Sequence, residues 1–124
     1  KKYGIDLEIA YHAIRISSGN SFVHETESQV ILSGTYDVGF TMDLVCKDLK
    51  LFSKLSKNFN INSKINKLML KEFGYAKKKY GKRAFSTSVV KLIENNCQTK
   101  LRSYKFPKKL IDKEPNRKGF EVKF

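Results

Sequence analysis

Apolar residues recur at three- and four-residue intervals along most of the chain, while the alternation that marks a half-buried strand is nearly absent. The clearest case is Leu44, Val45, Leu49, Phe52 and Leu55, a stripe down one side of a helix. Asp43, Lys47, Lys50 and Lys54 mark the opposite side, with Asp43 and Lys47 spaced for a favourable i,i+4 ion pair. A chain patterned in this way can bury its apolar residues only by packing helix on helix, so the fold class predicted is all-α, a multi-helix domain.

Four further segments carry the same signal. "IDLEIAYHAIRI" at 5–16 places Ile5, Ile9, Ala13 and Ile16 on one face, and "SSGNS" then supplies a stop at Gly19 and a cap for the next helix at Asn20 or Ser21. A second helix is expected over 21–33, with Phe22, Val23, Thr26, Val30 and Ile31 inward and Gly34 ending it. After the turn-rich "GTYDVGF", the stripe above forms a third helix. A fourth, from about Ser63 to Tyr80, is expected to bury Ile65, Leu68, Met69, Phe73 and Ala76 before Gly81 stops it. "FSTSVVKLIENN" predicts a short fifth helix, capped by Ser86 or Ser88 and buried through Val89, Val90, Leu92 and Ile93. Beyond Asn96 the periodicity dissolves. Residues 1–96 therefore read as the helical domain and 97–124 as a basic arm with apolar anchors at Leu101, Tyr104, Phe106 and Leu110.

Asp48 disturbs the pattern, because it falls in the row Leu44, Asp48, Leu51, Leu55. An ionised carboxylate facing a dry core costs several kcal/mol, so this one must be paired, hydrogen-bonded or at a cleft edge. Either a local hydrogen bond fixes it, or this flank meets a polar cleft rather than a continuous core.

Length and composition bound the rest. The 124 residues suit one domain with a real core, and no run of about 18 apolar residues is long enough for a membrane span. The chain begins at Lys1 and reads as a segment of a longer protein. Cys46 and Cys97 match no disulfide or CxxC pattern, which points to a reducing, cytoplasmic compartment, and His12 and His24 lack partners at metal-ligand spacing. The formal net charge is +13, concentrated at 64–91, where nine Lys or Arg face Glu72 alone. Such a field attracts polyanions, but no recognised nucleic-acid motif accompanies it, and a nucleic-acid partner is not expected.

The order of segments also resembles a known family. "YGIDLEIAYHAIRISSGNSF" is similar to the stretch opening the helical C-terminal domain of the β-hydroxyacid dehydrogenases, where a "G(L/I)D" turn precedes a helix ending in "SSGxS". "LSGTYDVGFTMDLVCKDLKLF" resembles the family's F-x-x-x-L-x-x-K-D-L-x-L-A segment, and "NINSKINKLMLKEFGYAKKKYGKRAFSTSVVKLIE" follows the same course of loop, long helix, glycine stop and S-x-V helix. The likeness spans roughly residues 3–95. It implies a fold like that of the 6-phosphogluconate dehydrogenase C-terminal domain, within an NAD- or NADP-dependent enzyme similar to 3-hydroxyisobutyrate dehydrogenase. In such enzymes a Rossmann domain binds the cofactor, and the helical domain closes over a small β-hydroxy acid and builds a homodimer. By resemblance Lys47 is the cofactor-contacting lysine, and Phe40 and Asp48 face the cleft. Phe52 and Ser53 stand where the family often has a small residue, and neither the catalytic-lysine segment G-x-G-x-x-x-K-x-x-x-N nor the dinucleotide fingerprint G-x-G-x-x-G is present, so no catalytic residue is expected in this chain. The competing reading is a stand-alone basic helical module that binds acidic protein or nucleic acid.

Overall fold

In the computed structural model, which describes residues 1–111 and Gly119, five α-helices follow one another. They are α1 (Leu7–Arg15), α2 (Phe22–Ser33), α3 (Met42–Asn58), α4 (Lys64–Tyr80) and α5 (Val90–Asn96), with a 3-10 turn at Ser86–Val89 running into α5. Among the described residues no strand forms, and extended pairing is confined to one isolated bridge between Thr41 and Phe85. The domain is all-α, as the periodicity requires.

The helix ends follow from short polar residues and glycines. The Asp6 carboxylate caps α1 by accepting from the Glu8 and Ile9 N–H groups at 2.9 and 3.1 Å, so the helix begins two residues later than its apolar pattern suggests. Ser21, of the two expected caps, accepts from His24 N–H at 3.0 Å to start α2. Gly34 ends that helix at φ 89°, a left-handed conformation that a side chain disfavours. Neither Ser86 nor Ser88 caps α5. Both lie buried in the 3-10 turn, and Val89 takes the cap position without a side-chain bond.

α3 and α4 form the main helix pair and run antiparallel. Asp43 N–H donates to the Lys82 carbonyl at one end, while near the other the Asn66 side-chain amide reaches the Leu49 carbonyl at 3.3 Å and Ser53 Oγ at 2.5 Å. Their seam holds the fully buried Met42 and Ala76, joined by Leu92 from α5 and flanked by Val45, Phe73, Tyr80 and Val89. A second apolar cluster of Leu7, Tyr11 and Leu32 lies between α1 and α2, and Leu101 and Phe106 pack against it. Residues 99–106 thus return across the domain as a strap, pinned by Ser103 N–H to the Leu32 carbonyl at 2.9 Å and by contact of Lys105 with Glu8. Of the other expected anchors, Tyr104 is 95% exposed and Leu110 37%. The distal part of the expected arm, 112–118 and 120–124, lies outside the described residues.

Several faces differ from those expected. Ile5, Ile9 and Ile16 are exposed and α1 buries Leu7 and Tyr11 instead, because Tyr11 can satisfy its hydroxyl on the Glu25 carbonyl at 2.9 Å. Phe22 and Val23 of α2, Ile65 and Leu68 of α4, and Ile93 of α5 also face outward. In α3 the buried row is Met42, Cys46 and Ser56, with Val45 and Leu49 half-buried, whereas Leu44, Phe52 and Leu55 are exposed. Periodicity shows that an apolar row exists. When a helix carries two such rows, only its packing partners select between them.

Candidate functional site

Lys47 and Asp48 project from the first half of α3. Their side chains pair at 3.0 Å, yet remain 60% and 53% exposed, so the contact contributes no more than about 1 kcal/mol. The expected Asp43–Lys47 pair does not form. Asp43 instead accepts from Thr41 Oγ1 at 2.5 Å, and that bond, reinforced by the nearby Arg83 charge, holds its carboxyl below the ordinary aspartate range. Asp48 owes its place to the fact that its row is not core. Leu44, Leu51 and Leu55 are 38–56% exposed, so the carboxylate is solvated and incurs no burial penalty.

Beside Lys47 an open groove of about 380 Å³ runs along the α3–α4 seam. Asp43, Cys46, Lys47, Lys50, Leu51 and Lys54 of α3 line one wall, and Lys77 of α4 stands opposite. Phe40 is not in this lining. It lies on the approach to α3, 37% exposed, and its carbonyl accepts from Ser86 N–H at 2.8 Å. With Met42 N–H donating to the Ala84 carbonyl at 2.8 Å, that bond ties the start of α3 to the 82–86 segment. The structure therefore joins Lys47 to Asp48, and Phe40 and Asp48 both lie outside the groove lining.

The approach is held by a residue that sequence reasoning passed over. Tyr36 is 3% exposed, at φ 58°, with its N–H donating to the Val30 carbonyl and its carbonyl accepting from Thr87 Oγ1 at 2.5 Å. Its hydroxyl donates to Glu94 Oε2 at 2.7 Å. The Glu94 side chain is wholly buried and also accepts from Leu101 N–H and Arg102 Nη1, both at 2.9 Å, with Lys100 at 3.7 Å. Burial raises the Glu94 carboxyl. The Tyr36 hydroxyl, the Leu101 amide and the Arg102 and Lys100 charges outweigh it, leaving the group below the ordinary glutamate value. Burial and the Glu94 contact push the Tyr36 phenol up. The Lys91 ammonium and the Arg102 guanidinium lie 4.3 and 4.8 Å from the centroid of the Tyr36 ring. Only the oddity of a glutamate directly after the apolar pair Leu92–Ile93 hinted at this network.

The remaining candidates are structural. His24 stacks on Tyr11 at 4.9 Å, with its ring nitrogens near the Tyr11 carbonyl and Ser28 Oγ. Cys46 is buried and Cys97 half-buried, both as free thiols. Among the described residues no group of three or more His, Cys, Asp or Glu could hold a metal ion, and no helix is long and apolar enough to cross a membrane.

Comparison with known proteins places this helical domain in the context of NAD(P)-dependent oxidoreductases. Residues 1–93 match the family described as NAD-binding of NADP-dependent 3-hydroxyisobutyrate dehydrogenase, and the chain belongs to that family. No curated protein matches the chain.

Proposed function

We propose that the chain is the helical C-terminal domain of an NAD(P)-dependent enzyme similar to 3-hydroxyisobutyrate dehydrogenase. It closes over a cofactor held mainly by a Rossmann domain elsewhere in the parent protein. The observation that carries the reading is Lys47: within the family match, α3 presents this ammonium to solvent instead of locking it into the fold. An exposed cation on a rigid helix fits the polar edge of a dinucleotide. The bulk of such a cofactor is held elsewhere, since the sequence offers no glycine-rich phosphate loop.

In this reading Lys47 orients the cofactor, while Phe40 and Asp48 shape the cleft around a small β-hydroxy acid. When bound, the nicotinamide accepts the substrate's hydride. The general acid–base lysine belongs to the parent protein outside this chain. The exposed row Leu44, Leu51, Phe52 and Leu55 supports packing by a further helix and a homodimer in the assembled enzyme.

The test is NADP-dependent oxidation of 3-hydroxyisobutyrate by the parent enzyme, or by this chain combined with its Rossmann half. Lys47→Gln is expected to lower kcat/KM at least about tenfold, the size of one lost charged contact. Unchanged kinetics would remove Lys47 from the cofactor site. No turnover by the wild-type assembly on any small β-hydroxy acid would defeat the reading as a whole.

A further inference from the structure

We propose that the groove between α3 and α4 is a binding site for an oligophosphate group, formed by Lys47, Lys50, Lys54 and Lys77. The first three occupy successive turns of α3, and Lys47 and Lys54 are separated by a rise of about 10 Å along its axis. Lys77 lines the same groove from α4, so the cations come from both helices of the seam. Among the described residues, Lys50, Lys54 and Lys77 take part in none of the ion pairs, and the partner of Lys47, Asp48, lies outside the lining. The one carboxylate in the wall, Asp43, is held by Thr41 and stays ionised, so the lining sets four cations against one anion. Four like charges around one groove repel, and a multivalent anion removes that repulsion.

Volume and chemistry narrow the ligand further. A groove of about 380 Å³ is at the small end of ligand sites, and Cys46 and Leu51 add apolar surface to its lining. Lysine binds phosphate as a flexible point charge and needs no bidentate geometry. A single carboxylate would engage one end of the row. Linked phosphates distribute charge along it. The site shares Lys47 with the proposed function but needs neither Phe40 nor Asp48.

The experiment is calorimetric titration of the 124-residue chain with inorganic tripolyphosphate at roughly physiological salt, where the diffuse field is screened. Saturable binding at one site is expected. The double variant Lys50→Glu/Lys54→Glu should weaken it at least about tenfold, whereas Lys108→Glu/Lys109→Glu, with the same change in net charge, should change it less than about threefold. Helicity of each variant is checked by circular dichroism, and Lys50→Gln/Lys54→Gln replaces the reversal if that variant unfolds.

Equal weakening by both charge reversals would overturn the proposal in favour of an unspecific basic surface, as would the absence of saturable binding. Groove-dependent binding of a short single-stranded oligonucleotide without binding of tripolyphosphate would also overturn it, assigning the lysines to a nucleic-acid backbone. Competition by NADPH would identify the phosphates as those of the cofactor, and its failure to compete would leave a free oligophosphate. The site stands in either case. Absence of saturable tripolyphosphate binding by the wild-type chain, alongside loss of turnover in the parent enzyme carrying Lys47→Gln, would defeat the groove and leave the cofactor lysine standing, so the two readings fail separately.

Discussion

The Tyr36 hydroxyl donates to the Glu94 carboxylate at 2.7 Å across 58 residues of chain, in a place where the Glu94 side chain has no exposed surface. Through this one bond the approach to α3 is tied to α5, and Arg102 extends the tie to the returning strap. A buried anion with four separate partners is strongly destabilised by the loss of any large share of them.

Replacing Glu94 with Ala should therefore cost about 3–5 kcal/mol, because the Arg102 charge and the Tyr36 hydroxyl lose their buried partner. Urea unfolding followed by circular dichroism would measure it. A loss below about 1 kcal/mol would mean that the network closes without its carboxylate.

The same group gives the fold a pH dependence of known sign. Its folded pKa lies below the ordinary value of 4.5, so its contribution is present above that value and is lost as pH falls through the lower, folded one. The urea midpoint of the wild type should drop as pH falls below the ordinary value of 4.5, and Glu94→Gln should flatten that part of the curve. Parallel curves for the two proteins would place the acid sensitivity elsewhere.

Gly34→Ala should be far more harmful than an ordinary glycine change. At φ 89° an added Cβ is strained by its own backbone, and it would overlap Nε of Arg102 and come within 2.8 Å of its Cδ. A loss of about 1–3 kcal/mol is expected, with faster amide exchange at Leu101 and Ser103, whose N–H groups hold the strap. Exchange accelerated only within α2 would separate the glycine from the strap.

Met42 and Leu55 test which side of α3 is inside. Met42 is fully buried and Leu55 is 56% exposed, so Met42→Ala should cost about 2–5 kcal/mol and Leu55→Ala less than about 0.5 in this chain. In the parent enzyme the Leu55 change should weaken assembly if a further helix covers that row. Comparable losses in the isolated chain would return Leu55 to its own core.

The helices and their stops could be read from the sequence because their causes are local. Ser21, Gly34 and Gly81 act on backbone groups within four residues, and three- and four-residue spacing is a property of one helix at a time. The choice of face was not legible in this way. Ile9 and Tyr11 are both apolar enough to turn inward, and the decision depended on the Glu25 carbonyl from another helix. Tyr36 read as part of a turn and Glu94 as the polar end of a helix, since nothing within either segment names the other. For the candidate site, the position of Lys47 on an exposed face of α3 was evident, whereas its groove required Lys77, thirty positions away.

The domain holds two apolar clusters, one around Tyr11 and one around Met42, and the Tyr36–Glu94–Arg102 system meets elements of both. Oily surfaces can slide past one another with little penalty, but hydrogen bonds to a buried carboxylate tolerate only a narrow range of angles. The relative orientation of the two halves is thus set like a keyed joint. A mutation that leaves every apolar contact in place can still let the Lys47 face of α3 rotate away from whatever it must meet.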